Sequence, residues 1–295
     1  MLPIPDSIAD DLGALITRAL AEDVGHGDVT TLATIAAGQQ ARAEFLAKAD
    51  GTLAGLAVVE RVFKAVDTDL VASWTISDGD IVTAGTVFGE VVGAARSILT
   101  AERLALNLMQ RMSGIATASH RMAEAAHPAT ILDTRKTAPG LRLLDKWAVL
   151  LGGASNHRAG LYDMVLIKDN HIASVGGIEA AIRAAQTYLR DNKLNLAIEI
   201  ETRTLDEVDD VLRVGGVDRI MLDNMARKTE DGLDTSLLAE AVRRIGGRFE
   251  TEASGNVTLD TVPAIAATGV DFISSGALTH SVQALDISLK VILAR

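Results

Sequence analysis

Six cations, Arg135, Lys136, Arg142, Lys146, Arg158 and Lys168, fall within the forty residues from Asp133 to Ile172, against four aspartates, Asp133, Asp145, Asp163 and Asp169. The stretch therefore carries a net charge of +2 inside a 295-residue chain whose net charge is −11. A positive region in an acidic protein concentrates anions by focusing its field. Arginine grips carboxylate or phosphate at two points, whereas lysine supplies a point charge. Arg135 with Lys136, His157 with Arg158, and Lys168 offer both kinds.

Acidic residues recur further on. Glu199 and Glu201 stand two apart in an apolar run, so on a strand they share one face. With Ile198 and Ile200 turned to a helix layer, both glutamates point inward and need partners, because isolated buried charge is costly. Lys168, at the end of the preceding strand, is the natural one, and Glu199 reads as half of a core ion pair. Glu201 and Asp223 form a hard-oxygen pair suited to magnesium that also holds substrate phosphates. Ser254 with Gly255, and Ser275 with Gly276, follow the last two strands. Glycine there lets backbone N–H groups approach a phosphate, and a helix N-terminus adds a favourable dipole.

These residues need a scaffold, and its pattern is legible. After Pro128 a unit repeats in which a short apolar strand ends in a polar cluster and a helix follows. The strands read TILDT, DMVLI, LAIEIE, RIMLD, RFETEA and VDFIS, with helices expected near 141–151, 177–190, 204–213, 234–245 and 259–267. Such alternation makes parallel strands, and charge at every strand end places an active site at the C-terminal face of a β/α barrel. Six strands fall short of eight, so the expectation is an incomplete barrel, with a doubly wound open sheet as the alternative.

Before Pro128 the pattern differs. A first helix with its stripe at Ile8, Leu12, Leu15, Ile16, Ala19 and Leu20, capped by Asp6 or Ser7, stops at Gly25, and DVGHGDVTT reads as a turn segment with His26 in a loop. Short strands then surround one helix, and a chain of turns is punctuated by Gly79, Gly85, Gly89 and Gly93. A long helix opens at Thr100, buries Leu104, Leu108, Met112 and Ile115, and ends at Pro128. The expected division is an N-terminal α/β sandwich over 1–112, joined by 281–295, and an incomplete barrel over 113–280.

Composition excludes several functions. The absence of cysteine removes disulfides, thiolate metal sites and cysteine nucleophiles, and fits a reducing, cytoplasmic setting. Net negative charge argues against nucleic-acid or membrane-surface binding. Aromatics at 3% leave few stacking platforms for bases. No apolar run approaches membrane-spanning length, and the acidic N-terminus lacks a signal pattern.

Taken in order, GDVTT near Gly27, AERLALNLMQRMSGIAT from Ala101, DTRKTAPGLR from Asp133, NHRAGLYDMVLIKDNHI from Asn156, EIE at Glu199, MLDN at Met221, EASG at Glu252 and ISSGALTHS from Ile273 resemble the quinolinate phosphoribosyltransferases. The resemblance covers nearly the whole chain. It implies an α/β sandwich beside an incomplete barrel, and a homodimer in which one subunit's N-terminal domain covers the other's barrel mouth. It implies transfer of phosphoribosyl from phosphoribosyl pyrophosphate to quinolinate with magnesium, giving nicotinate mononucleotide, pyrophosphate and carbon dioxide in NAD synthesis. Arg135, His157 and Arg158 then match a clamp for the two quinolinate carboxylates, with Arg103 supplied across the dimer. Lys136 and Lys168 match positions facing the phosphoribosyl substrate, Glu201 and Asp223 those at ribose hydroxyls and magnesium, and Ser254, Gly255, Ser275 and Gly276 the phosphate loops. Two positions depart from the family pattern, which commonly has glycine at Ala154 and Asn256.

Three other readings compete. A paralogue of the type encoded with molybdate transport genes would act on another heterocyclic acid and would not require all of Arg103, Arg135, His157 and Arg158. An aldolase would use Lys168 as a Schiff-base nucleophile, which needs a neutral amine. A binding protein would hold ligand without releasing pyrophosphate.

Overall fold

The strand Gln40–Ala47 alternates buried and exposed side chains and lies between Ile287–Leu293 and Val87–Ala94, with Val71–Trp74 on the far edge of the same antiparallel sheet. A computed structural model describes residues 6–230 and 232–293; capping by Asp6 or Ser7 lies outside the described side chains. Two compact units are formed, one of Met1–His120, Ala138–Gly153 and Ser281–Arg295, the other of Arg121–Thr137 and Ala154–His280. Helix Arg142–Leu151 groups with the first unit, where Asp145 is fully buried and paired through both oxygens with Arg111, at 2.8 and 2.7 Å. Arg142 and Lys146, counted above with the anion-binding cations, thus belong to the first unit.

In that unit the sheet packs through Phe45, whose ring centroid lies 6.2 Å from Phe63, 4.9 Å from Trp74 and 5.9 Å from Phe88. Helix Leu56–Val66 begins at Gly55 with no cap of its own, and buried Asp78 accepts from the amides of Gly55 and Leu56 instead, at 2.7 and 3.0 Å. Gly89 is required because a Cβ there would meet the Trp74 ring at 2.3 Å. The long helix runs Ala95–Ala126, starting five residues before the expected Thr100, and buries Leu104, Leu108, Met112 and Ile115. DVGHGDVTT is only partly turn: Asp28 accepts from the Thr31 amide and caps a short helix, Val29–Thr34.

The second unit is built on six parallel strands, Thr130–Leu132, Val165–Ile167, Ile198–Thr202, Arg219–Asp223, Glu250–Ser254 and Phe272–Ser274. Numbered by chain order, they stand first, sixth, fifth, fourth, third, second. That is the cyclic order of a barrel cut once, not the reversal of a doubly wound sheet. At the cut, among the described residues, an isolated bridge of Leu132 to Ser155 is the contact made with the first strand's open edge. The fold is therefore an incomplete barrel. The expected helices are found at Ile178–Asp191, Leu205–Val214, Ser236–Ile245 and Val262–Ala266, with Arg142–Leu151 in the other unit. A helix Asp169–Val175 and a hairpin of Arg227–Thr229 with Gly232–Asp234 were not anticipated.

Candidate active site

At the C-terminal ends of the barrel strands lies a cavity of about 290 Å³. It is lined by Arg135, Lys136, His157, Arg158, Lys168, Glu201, Asp223 and Ser254 among the anticipated residues. Gly255, Ser275, Gly276 and Arg103 are not on its wall. A larger hollow, about 580 Å³, lies in the first unit along Ile8–Arg18 and Ala138–Leu144, where fewer ionisable groups meet. Chemistry is therefore sought at the barrel mouth.

The cations are fixed from below. Asp133, at the end of the first strand and fully buried, accepts from the His157 amide at 2.8 Å, which ties the loop carrying His157 and Arg158 to the strand preceding Arg135. Arg158 reaches the Met164 carbonyl at 3.2 Å. Burial, and then the neighbouring charge of Arg135, hold the Arg158 guanidinium below its ordinary pKa. Two guanidiniums that repel each other and line one cavity form a natural seat for a dianion.

Beneath them is a largely buried layer of alternating charge. The His157 ring stands 3.0 Å from Glu199 and 3.4 Å from Glu252, both carboxylates being fully buried. Arg219 closes the layer, 3.1 Å from Glu252 and 2.9 Å from Glu250, with its guanidinium 3.8 Å over the Phe272 ring. Burial opposes charge on His157, but the hydrogen bonds and charges of Glu199 and Glu252 outweigh it and lift the imidazole to about 9. Burial pushes the Glu199 carboxyl up, whereas His157, Ser274 and Arg219 hold Glu252 below the usual carboxylate range despite equal burial. The Arg158 amide donates to His157 Nδ1 at 2.7 Å. Accepting there leaves the neutral ring's proton on Nε2, facing Glu199, and protonation of the ring requires Nδ1 to give up that contact. Both ring nitrogens are thus turned to protein. Glu199 is in a core ion pair as its sequence suggests, but with His157 rather than Lys168.

Lys168 goes instead to Glu201, Nζ to Oε2 at 2.7 Å. The other oxygen of Glu201 accepts from Arg203 at 2.9 Å, and Arg203 also binds Asp223 at 3.2 Å and Asp169 at 2.9 Å. Glu201 and Asp223 supply hard oxygens of the kind magnesium takes, and here a lysine and an arginine neutralise them. A salt-bridged ammonium is not a nucleophile, so Lys168 does not favour the Schiff-base reading.

At the remaining strand ends, Ser254 faces Asp223 across the pairing of their strands, and Ser274 faces Ser254. Gly255 has φ +93, and a Cβ there would meet Asn224 Oδ1 at 2.2 Å. Asn256 follows at φ 57, a left-handed backbone that asparagine tolerates. Ala154 is absent from the positive-φ residues, so glycine is not required there. The Ser275 amide donates to Leu132, and a Cβ at Gly276 would meet Lys136 Cδ at 2.7 Å. Gly276 therefore makes room for Lys136.

Arg203, Glu252 and Ser274 line the cavity without having been anticipated as site residues. Two were signalled by period-two alternation: Glu252 shares its strand face with Ser254, and Arg203 continues the row of Glu199 and Glu201.

Comparison with known proteins agrees along the whole length. The quinolinate phosphoribosyl transferase N-terminal domain matches residues 28–113 and the C-terminal domain of the same family matches 115–290. The chain is 59% identical over 288 residues to "Quinolinate phosphoribosyltransferase [decarboxylating] 1" of Nicotiana glauca, covering 95% of this chain and 82% of that one. It is 58% identical to the rice (Oryza sativa subsp. japonica) "Nicotinate-nucleotide pyrophosphorylase [carboxylating], chloroplastic", covering 95% of this chain and 78% of that one. The crystal structure of NadC from Streptococcus pyogenes superposes with a TM-score of 0.90 at 37% identity over 100% of both chains. From its strand order, its cationic barrel mouth and these matches, the chain belongs to the quinolinate phosphoribosyl transferase family.

Proposed function

We propose that this protein transfers the phosphoribosyl group of phosphoribosyl pyrophosphate to quinolinate with decarboxylation, yielding nicotinate mononucleotide, pyrophosphate and carbon dioxide for NAD synthesis. The observation that carries the reading is the convergence of Arg135, Lys136, Arg158 and Lys168 on one cavity that also presents Glu201 and Asp223.

Two guanidiniums grip the quinolinate carboxylates, and the His157 layer beneath adds positive character without a direct bond. Lys136 and Lys168 face the phosphoribosyl substrate, with Ser254 and the loops at Gly255, Ser275 and Gly276 along its phosphate. As pyrophosphate leaves, positive charge grows at the anomeric carbon, where Glu201 and Asp223 stabilise it. Glu201 and Asp223 would also hold magnesium, which when bound neutralises the leaving pyrophosphate. Loss of carbon dioxide then leaves electron density on a ring whose nitrogen is already positive, so the pocket contributes mainly position and field.

The reading extends to a homodimer and a cytoplasmic setting. Exposed Arg103 supports the first, since a site completed by a partner would take its guanidinium from such a surface. The absence of cysteine supports the second. Among the described residues no helix is long and apolar enough to cross a membrane.

Purified protein incubated with quinolinate, phosphoribosyl pyrophosphate and magnesium should form nicotinate mononucleotide and carbon dioxide, and should leave nicotinic acid untouched. Turnover of neither acid by folded protein would sink the assignment. For the shared site, Arg103→Ala mixed with Arg158→Ala should turn over more at low quinolinate than either variant alone, and no gain on mixing would count against a partner-supplied arginine.

A further inference from the structure

Arg203 is spent in full: Nη1, Nη2 and Nε each reach a different carboxylate, Asp169, Glu201 and Asp223, at 2.9, 2.9 and 3.2 Å. Glu201 and Asp223 lie at the ends of two neighbouring strands and Asp169 opens the helix after the next one, so one guanidinium spans the same rim as the proposed metal-binding pair. Its backbone is fixed, because the Arg203 amide donates to Glu207 at 2.6 Å while Thr204 caps helix Leu205–Val214 in a reciprocal box with Glu207. Its side chain is half exposed, and ion pairs that exposed are individually weak. The backbone is thus rigid and the charged end is free to leave.

Both oxygens of Glu201 are already engaged, one by Lys168 and one by Arg203, and Arg203 holds Oδ2 of Asp223. A divalent ion placed on Glu201 and Asp223 would sit against the guanidinium and be repelled by it. Without Arg203, three carboxylates would face one another with only Lys168 to offset them.

We propose that Arg203 competes with divalent cations for Glu201 and Asp223, standing in for the metal in the substrate-free protein and yielding to it when a phosphorylated substrate arrives. The substrate's phosphates supply the metal with further oxygens and give the released guanidinium a new partner. Metal therefore loads with the substrate rather than before it. The proposal rests on the reading of Glu201 and Asp223 as the metal pair.

The test is Mn²⁺ binding to the substrate-free protein, followed by loss of the free-ion electron paramagnetic resonance signal. Three pairs that are half exposed at the arginine end compete with the ion, so Arg203→Gln should tighten Mn²⁺ binding by roughly tenfold. Arg203→Lys, a point charge unable to span three acids, should fall between, and guards against a fold defect in the first variant, which circular dichroism also checks. Equal Mn²⁺ affinity in wild type and both variants would overturn the competition. If Arg203→Gln with Glu201→Gln kept the full gain, the competition would be elsewhere and the metal pair misassigned. No substrate is added, so failure of quinolinate turnover leaves this result to be judged by itself.

Discussion

Two charge clusters share the barrel's strands and differ in their access to water. In the floor, His157, Glu199, Glu252 and Arg219 alternate in sign with the two carboxylates fully buried. At the rim, Lys168, Glu201, Arg203 and Asp223 alternate likewise and Glu201 is also buried, but its cation partners Lys168 and Arg203 are 43% and 50% exposed, against 6% and 17% for His157 and Arg219. Glu199 and Glu201 are two residues apart on one strand and belong to different clusters. The same ingredients make a fixed layer where water is excluded, because breaking one buried pair strands another charge, and an exchangeable set where water can replace a partner.

The sharpest way to break the comparison is to remove one charge from the floor. Glu252→Ala leaves Arg219 and His157 without their common partner and should cost about 3–5 kcal/mol in denaturant unfolding. A cost near that of a rim variant would mean the floor is no more demanding than the surface.

Next in size is the response to pH. The folded imidazole at about 9 binds its proton more tightly than an unfolded one at 6.5. Its stabilisation is therefore complete below the lower value and is lost as the pH rises through the higher. The loss should approach roughly 3 kcal/mol in unfolding experiments across that window, and Glu199→Gln should flatten the profile.

Arg158→Ala should raise the KM for quinolinate about 10- to 100-fold, the worth of one hydrogen bond between charged groups. The KM for phosphoribosyl pyrophosphate should change far less, and equal changes in both would argue against a clamp. Smallest in stability is Glu201→Gln, expected to shift unfolding by no more than about 1 kcal/mol while lowering kcat at least tenfold. A large unfolding effect there would merge rim and floor into one network.

Periodicity made the barrel readable, since each parallel strand announced itself as a short run ending in a polar cluster. It also gave the cations at the mouth. Partner choice was not readable. Glu199 turned to His157 rather than Lys168 because the Asp133–His157 amide bond brings a distant loop under the strand ends, a contact between residues 24 apart that alternation cannot express. The helix Arg142–Leu151 looks like one more barrel helix in sequence, yet its buried Asp145 joins Arg111 on the long helix of the other unit. Local pattern fixes which face is apolar, whereas burial of a single acid against a distant arginine decides where the helix goes.

The pairing of Gln40–Ala47 with Ile287–Leu293 carries a consequence for synthesis. A ribosome releases the first of these strands long before the second. Until the later strand emerges, one side of Gln40–Ala47 presents unpaired N–H and C=O groups, an edge on which other nascent chains can pair. The barrel strands from the third on, by contrast, each emerge beside a neighbour just made, and only the first must wait for Phe272–Ser274. The N-terminal sheet is thus begun first and finished last, and it is the part of the molecule most exposed to errors made during translation.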